Sequence, residues 1–168
     1  MVGVSILITG GDGAGVSTQA RLLCDWLLKC KGERGCVKRV AVGKEPASLG
    51  NQDALGSWSA LVGKQVKDLE RNDLFSLPKT EQYRYFFGVA LSYFLLDLEV
   101  TRPALADGVN VVLENSYQKH VTARGVAMGL DEAILDALTS FLVVPDIAFY
   151  LDVAPHETFA RKNGQVRH

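Results

Sequence analysis

Short aliphatic runs alternate along this chain with longer stretches whose apolar positions fall three and four residues apart. The run VGVSILITG, Val2 to Gly10, is bounded by glycine and reads as a buried strand. The stretch that follows, STQARLLCDWLLKCKG, places Ala20, Leu23, Trp26, Leu27 and Cys30 on one stripe, the pattern of an amphipathic helix that Gly32 or Gly35 can end. VKRVAVGKEP is a second strand, stopped at Glu45-Pro46 because the residue before a proline is pushed out of helical geometry. Residues 47–63, rich in Gly, Ser and Ala, read as loop and short helix. A long helix is expected from Thr80 to Leu105, with Tyr83, Phe86, Phe87, Ala90, Leu91, Phe94, Leu95 and Leu98 on helical spacing and directed into the core.

GVNVVLEN predicts a buried strand with Glu114 and Asn115 at its C-terminal end, LDEAILDALTSFL a compact helix, and PDIAFYLDV a further strand between Pro145 and Asp152. A last helix starts at Pro155 in PHETFARKNG. Strands alternating with helices imply an α/β fold, a parallel sheet flanked by helices, with ligands at the carboxyl ends of the strands. No repeat or linker interrupts the pattern, and 168 residues fit a single domain.

Between the first strand and the first helix lies the segment with the clearest chemistry. Gly10-Gly11-Asp12-Gly13-Ala14-Gly15-Val16-Ser17 supplies both glycines and the hydroxyl of the phosphate-cradling pattern G-x-x-x-x-G-K-[ST], with valine where lysine belongs. Such a loop holds phosphate through backbone N–H groups and the positive end of the following helix, whatever side chain stands at position 16. A blander account also fits: the loop could be a structural turn only.

Composition narrows the classes of partner. With 18 basic and 19 acidic side chains the formal charge is −1, which points away from nucleic acid as the main partner and leaves small anions open. The three cysteines, Cys24, Cys30 and Cys36, form no C-x-x-C pair and are expected as reduced thiols of a cytoplasmic protein. Ile6-Leu7-Ile8 is too short to target or span a membrane, so no membrane partner is expected. His120, His156 and His168 have no spacing that builds a metal site and are expected at the surface.

The ordered series GGDGAG-ST-QARLL, KEP, RPALADG-VNVVLEN, GLDEAILDAL and PDIAFYLDV, covering nearly the whole chain, resembles the thymidylate kinases, which are P-loop nucleoside monophosphate kinases. The resemblance implies a three-layer P-loop NTPase fold and phosphoryl transfer from ATP, with Mg2+, to dTMP or a related nucleoside monophosphate. It also implies a homodimer formed through helices, for which Tyr83 to Leu98 could serve. Carried over by position, Gly10, Asp12, Gly13, Ala14, Gly15, Val16, Ser17 and Thr18 form the cofactor-binding loop, with Ser17 on the metal. Glu45 and Pro46 lie at the acceptor. Glu114 and Asn115 take the place of an acidic-Arg pair that handles magnesium and the acceptor phosphate.

Three departures from the family pattern fall on charged positions. Val16 replaces the loop lysine, Asn115 replaces the arginine of the acidic-Arg pair, and Ser92-Tyr93 stands roughly where the family has Asp-Arg. Asn115 and Tyr93 would then shape the monophosphate pocket. Each change removes positive charge from a site whose work is positioning and electrostatic stabilisation. Removing one such group costs on the order of 3 kcal/mol. Cations that could replace it are Lys44, beside Glu45-Pro46, then Lys119 and Arg124 after the third strand, and Arg161, Lys162 and Arg167, where the family's mobile lid begins. Lys44 and Arg161 are assigned with Glu114 to the reaction itself. Family members continue past the Leu-Asp-Val strand through a lid, an adenine-binding loop and a final helix, and this sequence stops at His168. The alternative is a catalytically impaired homologue acting as nucleotide sensor or partner subunit.

Overall fold

The computed structural model describes residues 2–31, 37–41 and 74–161. Among the described residues four strands form one sheet in the order β2-β3-β1-β4: β1 (Ser5–Gly10), β2 (Val37–Ala41), β3 (Asn110–Glu114) and β4 (Ile147–Leu151). Every pairing is parallel, as the alternation of strand and helix requires. The register sets Ile8 opposite Glu114 and Ala41 opposite Glu114, while Gly10 pairs with Leu151. All four strands therefore finish at one edge of the sheet, and the loops that follow them gather there.

The two faces of the sheet carry different layers. Ile8 and Val112 point to one side and pack with Val16, Ala20 and Cys24 of α1 (Val16–Lys31). Leu7, Val40, Val111 and Leu113 point to the other, against Leu96, Val100 and Ala104. Alternation along the strands sends successive residues to opposite faces, so a continuous aliphatic run serves both layers. A further cluster, centred on Phe86 and Leu135, joins α2 (Lys79–Leu96) to α5 (Glu132–Thr139). This is the expected three-layer P-loop arrangement.

The expected long helix is one continuous rod with a defect in it. Helix α2 runs into a π-helical turn, Asp97–Thr101, and then into α3 (Arg102–Ala106). Pro103 explains the position of the defect: in regular α-geometry its ring would clash with the carbonyl four residues earlier, and the wider turn relieves that. The expected core face of the rod needs correction. Tyr85, Phe86, Val89, Ala90, Tyr93 and Leu96 are buried, whereas Phe87 and Leu98 are exposed. Among the described strands β4 lies at an edge of the sheet, and Ile147, Phe149 and Tyr150 are exposed. Two shorter helices are α4 (Arg124–Ala127) and α6 (Pro155–Arg161).

Candidate phosphate-binding cleft

The loop between β1 and α1 is held by its own backbone: Ala14 N donates to Gly11 O at 3.0 Å, and Thr18 N and Gln19 N both donate to Gly15 O. Gly13 and Gly15 each have φ of +91°, a conformation open to glycine and rarely adopted by other residues. At Gly13 space matters too, since a Cβ there would come within 2.9 Å of the Thr158 carbonyl oxygen on α6. The loop therefore doubles back tightly and presents the first turn of α1, which holds no acidic residue, to the space above it.

That space is an open cleft of about 340 Å³ lined by Gly11, Asp12, Gly13, Gly15, Val16, Ser17, Thr18, Asn115, Lys119 and Arg161. Most of the residues assigned to the loop from sequence thus meet at one surface. Gly10 and Ala14 stand behind it, both buried. Gly11 is on the wall although the sequence reading gave it no role beyond the pattern.

Val16 is 6% exposed and packs with Ile8, Ala20, Cys24 and Val112. The residue in the lysine position is thus part of the core beneath the loop as well as of the cleft wall. Burying such a side chain contributes about 1.5–3 kcal/mol.

The strand end beside the loop is irregular. Asn115 has φ of +47°, in the left-handed region that asparagine tolerates better than most residues. Three contacts hold it: Asn115 N donates to Ile8 O at 3.0 Å, Thr9 Oγ1 to Asn115 Oδ1 at 3.3 Å, and the Tyr93 hydroxyl to Asn115 O at 3.2 Å. Burial raises the Tyr93 phenol far above the ordinary tyrosine range, so its hydroxyl remains a donor. Asn115 lines the cleft, while Glu114, the assigned metal and catalytic carboxylate, is 4% exposed at the end of β3.

Tyr93 is buried and borders a narrow second cavity of about 20 Å³, shared with Asp97, Asn115, Ser116 and Tyr117. It also stacks on His120, ring centroids 6.3 Å apart, so this histidine is half-buried and not the surface residue expected. Ser116 Oγ is buried with no hydrogen-bond partner among the described residues.

A π-helical turn, Gln118–Ala123, follows. From it Lys119 Nζ reaches Asp12 Oδ1 of the loop at 2.8 Å. Arg124 turns the other way, donating to the Tyr85 hydroxyl at 3.1 Å with its guanidinium 5.6 Å from that ring's centre. Arg161 enters the cleft wall from the end of α6 and pairs with Glu157 at 3.5 Å. Lys44, Glu45 and Pro46 lie outside the described residues, as do Lys162 and Arg167.

No protein-family model matches the chain. It is 33% identical over 162 residues to a thymidylate kinase of Chlorobium luteolum, covering 94% of this chain and 65% of that protein. A thymidylate kinase of Pelodictyon phaeoclathratiforme is 32% identical over 162 residues, with 94% and 64% covered. The chain therefore spans somewhat less than two thirds of the length of these curated relatives. The crystal structure of thymidylate kinase from Ehrlichia chaffeensis superposes with a TM-score of 0.67 over 98% of this chain and 85% of that one, at 22% identity. Along nearly its whole length the chain is similar in sequence to thymidylate kinases, and it shares the fold of a thymidylate kinase crystal structure.

Proposed function

We propose that this protein binds ATP with its phosphates on the loop at residues 10–18 and transfers the γ-phosphate to dTMP or a related nucleoside monophosphate. The observation that carries this reading is the cleft itself: a glycine loop with two positive-φ positions, a helix N-terminus free of acidic residues, and two cations, Lys119 and Arg161, on one wall. That wall is rich in donors and fits a phosphate chain. Ser17 and Glu114 are the residues that would hold Mg2+, which supplies charge neutralisation during phosphoryl transfer. Ser17 stands on the cleft wall, and Glu114 ends the neighbouring strand.

The acceptor belongs on the side of Asn115 and Tyr93; Lys44, Glu45 and Pro46, which the sequence assigns to it or beside it, lie outside the described residues. A homodimer is part of this reading. Phe87, Leu91 and Phe94 of α2 border an exposed apolar groove with Phe141, an area suited to a second copy of the chain. Sedimentation should show a dimer, and Phe87→Glu should shift it to monomer. A monomer at micromolar concentration for the unaltered chain would remove this part of the reading.

The test is phosphoryl transfer from Mg-ATP across a panel of nucleoside monophosphates. Formation of dTDP in preference to other diphosphates is the expected result. ATP binding without transfer to any acceptor would favour the impaired homologue, for which the buried Val16 is the specific observation. Absence of both binding and transfer would overturn the reading.

A further inference from the structure

The loop's own lysine position is closed: Val16 is packed into the core and carries no charge. A cation nevertheless stands on the cleft wall. Lys119, 107 residues away in sequence, places its ammonium 2.8 Å from Asp12, which is itself part of the loop. The Lys119 side chain is 25% exposed, against 59% for Asp12, so most of the lysine's length is covered and its head group is directed at the loop.

The path that delivers it is built from the irregularities around β3. Asn115 in the left-handed region turns the chain sharply as it leaves the sheet, and both Lys119 N and His120 N donate back to Ser116 O. The π-helical turn beginning at Gln118 contains Lys119, and His120 anchors its other side by stacking on Tyr93. The same Tyr93 holds the Asn115 carbonyl. Two positions where the family pattern loses charge, 93 and 115, thus support the turn that carries a new one. The other candidate cations among the described residues are less well placed: Arg124 is engaged by Tyr85, and Arg161 is half-exposed on the final turn of α6.

We infer that Lys119 supplies from the strand-end turn the phosphate-binding charge that the loop lacks, with Asp12 holding its ammonium over the loop until the phosphates of a nucleoside triphosphate replace the carboxylate as its partner. This rests on the reading that the loop holds nucleotide phosphates, and it assigns the charge to one side chain of this chain. The exchange is a change of ion-pair partner with no bond made or broken. A charge-assisted hydrogen bond to a phosphate oxygen has the strength to favour it once the cleft is filled and drier.

The experiment compares ATP and adenosine binding to the unaltered protein, Lys119→Met, Lys119→Arg and the double variant Val16→Lys/Lys119→Met, by calorimetric titration. Lys119→Met should weaken ATP binding about tenfold or more and leave adenosine unchanged, because only the phosphate chain meets the lysine. Lys119→Arg should retain most of the affinity, and the double variant should recover much of what Lys119→Met loses. ATP affinity unchanged in Lys119→Met would overturn the inference, as would an equal loss for adenosine, which marks a structural role. Failure of the unaltered chain to bind ATP at all would overturn the underlying reading of the loop, and is distinguished by needing no variant.

Discussion

At the scale of single residues, the cleft depends on backbone positions as much as on side chains. Gly13 combines a φ of +91° with a Cβ path blocked at 2.9 Å by the Thr158 carbonyl. Gly13→Ala is expected to cost about 1–3 kcal/mol in strain and to loosen the contact between loop and α6. Urea unfolding and ATP titration on the same variant check both effects, and unchanged values in both would show that the loop tolerates a side chain. The glycines and Ser17 were legible in the sequence because their spacing is itself the signal. The role of Val16 was legible only by contrast: the sequence showed that a lysine was missing, but not that valine is folded into the core with Ile8 and Val112. The contact of Lys119 with Asp12 joins the segments that follow two paired strands, 107 residues apart in sequence, and has no local signature. The placement of Arg124 on Tyr85 was equally hidden.

Elements are joined by a small number of polar clamps. The start of β4 is fixed to the start of β1 by Asp146, whose carboxylate accepts from Ser5 N at 2.8 Å and from Ser5 Oγ at 2.7 Å. These two bonds, the backbone one first, lower the Asp146 pKa below its ordinary value. A carboxyl whose folded pKa is depressed adds stability above its unfolded pKa and loses it as pH falls through the folded value. Thermal melts of the unaltered chain should therefore fall below about pH 4, and Asp146→Asn should melt lower at neutral pH with a shallower acid slope. An identical acid slope in the variant would deny the clamp its role. Helix α5 offers a second check. Asp131 caps it by accepting from Ala133 N at 2.8 Å and Ile134 N at 3.4 Å, so Asp131→Ala should cost about 0.5–2 kcal/mol in urea unfolding. Strands and helices followed from the hydrophobic period. The phase of α2 did not, because its aromatic residues run almost all round the helix and period alone cannot choose between Tyr85 and Phe87. The π-helical turns were also invisible, since a single inserted residue changes no apolar spacing enough to be seen.

The whole molecule is a parallel sheet whose loops converge at one edge, and its opposite requirements show at β4. Among the described residues this strand lies at the sheet's edge with Phe149 and Tyr150 exposed, a surface prone to pair with other strands. Tyr150→Lys is expected to raise solubility, read by light scattering, without altering ATP affinity. Among the described residues no helix is long and apolar enough to cross a membrane. Fold class and the loop's location were readable at this scale because alternation of strand and helix dictates a parallel sheet, whereas the cleft's charge depends on side chains brought together from the loop, the turn after β3 and α6. The most direct measurement of the central claim is calorimetric titration of the unaltered protein with adenosine, AMP, ADP and ATP in the presence of Mg2+. Affinity should rise with each added phosphate, because the loop amides, Lys119 and Arg161 all act on the phosphate chain. Equal affinity across the series, or no binding of ATP, would contradict a phosphate-binding cleft on this loop.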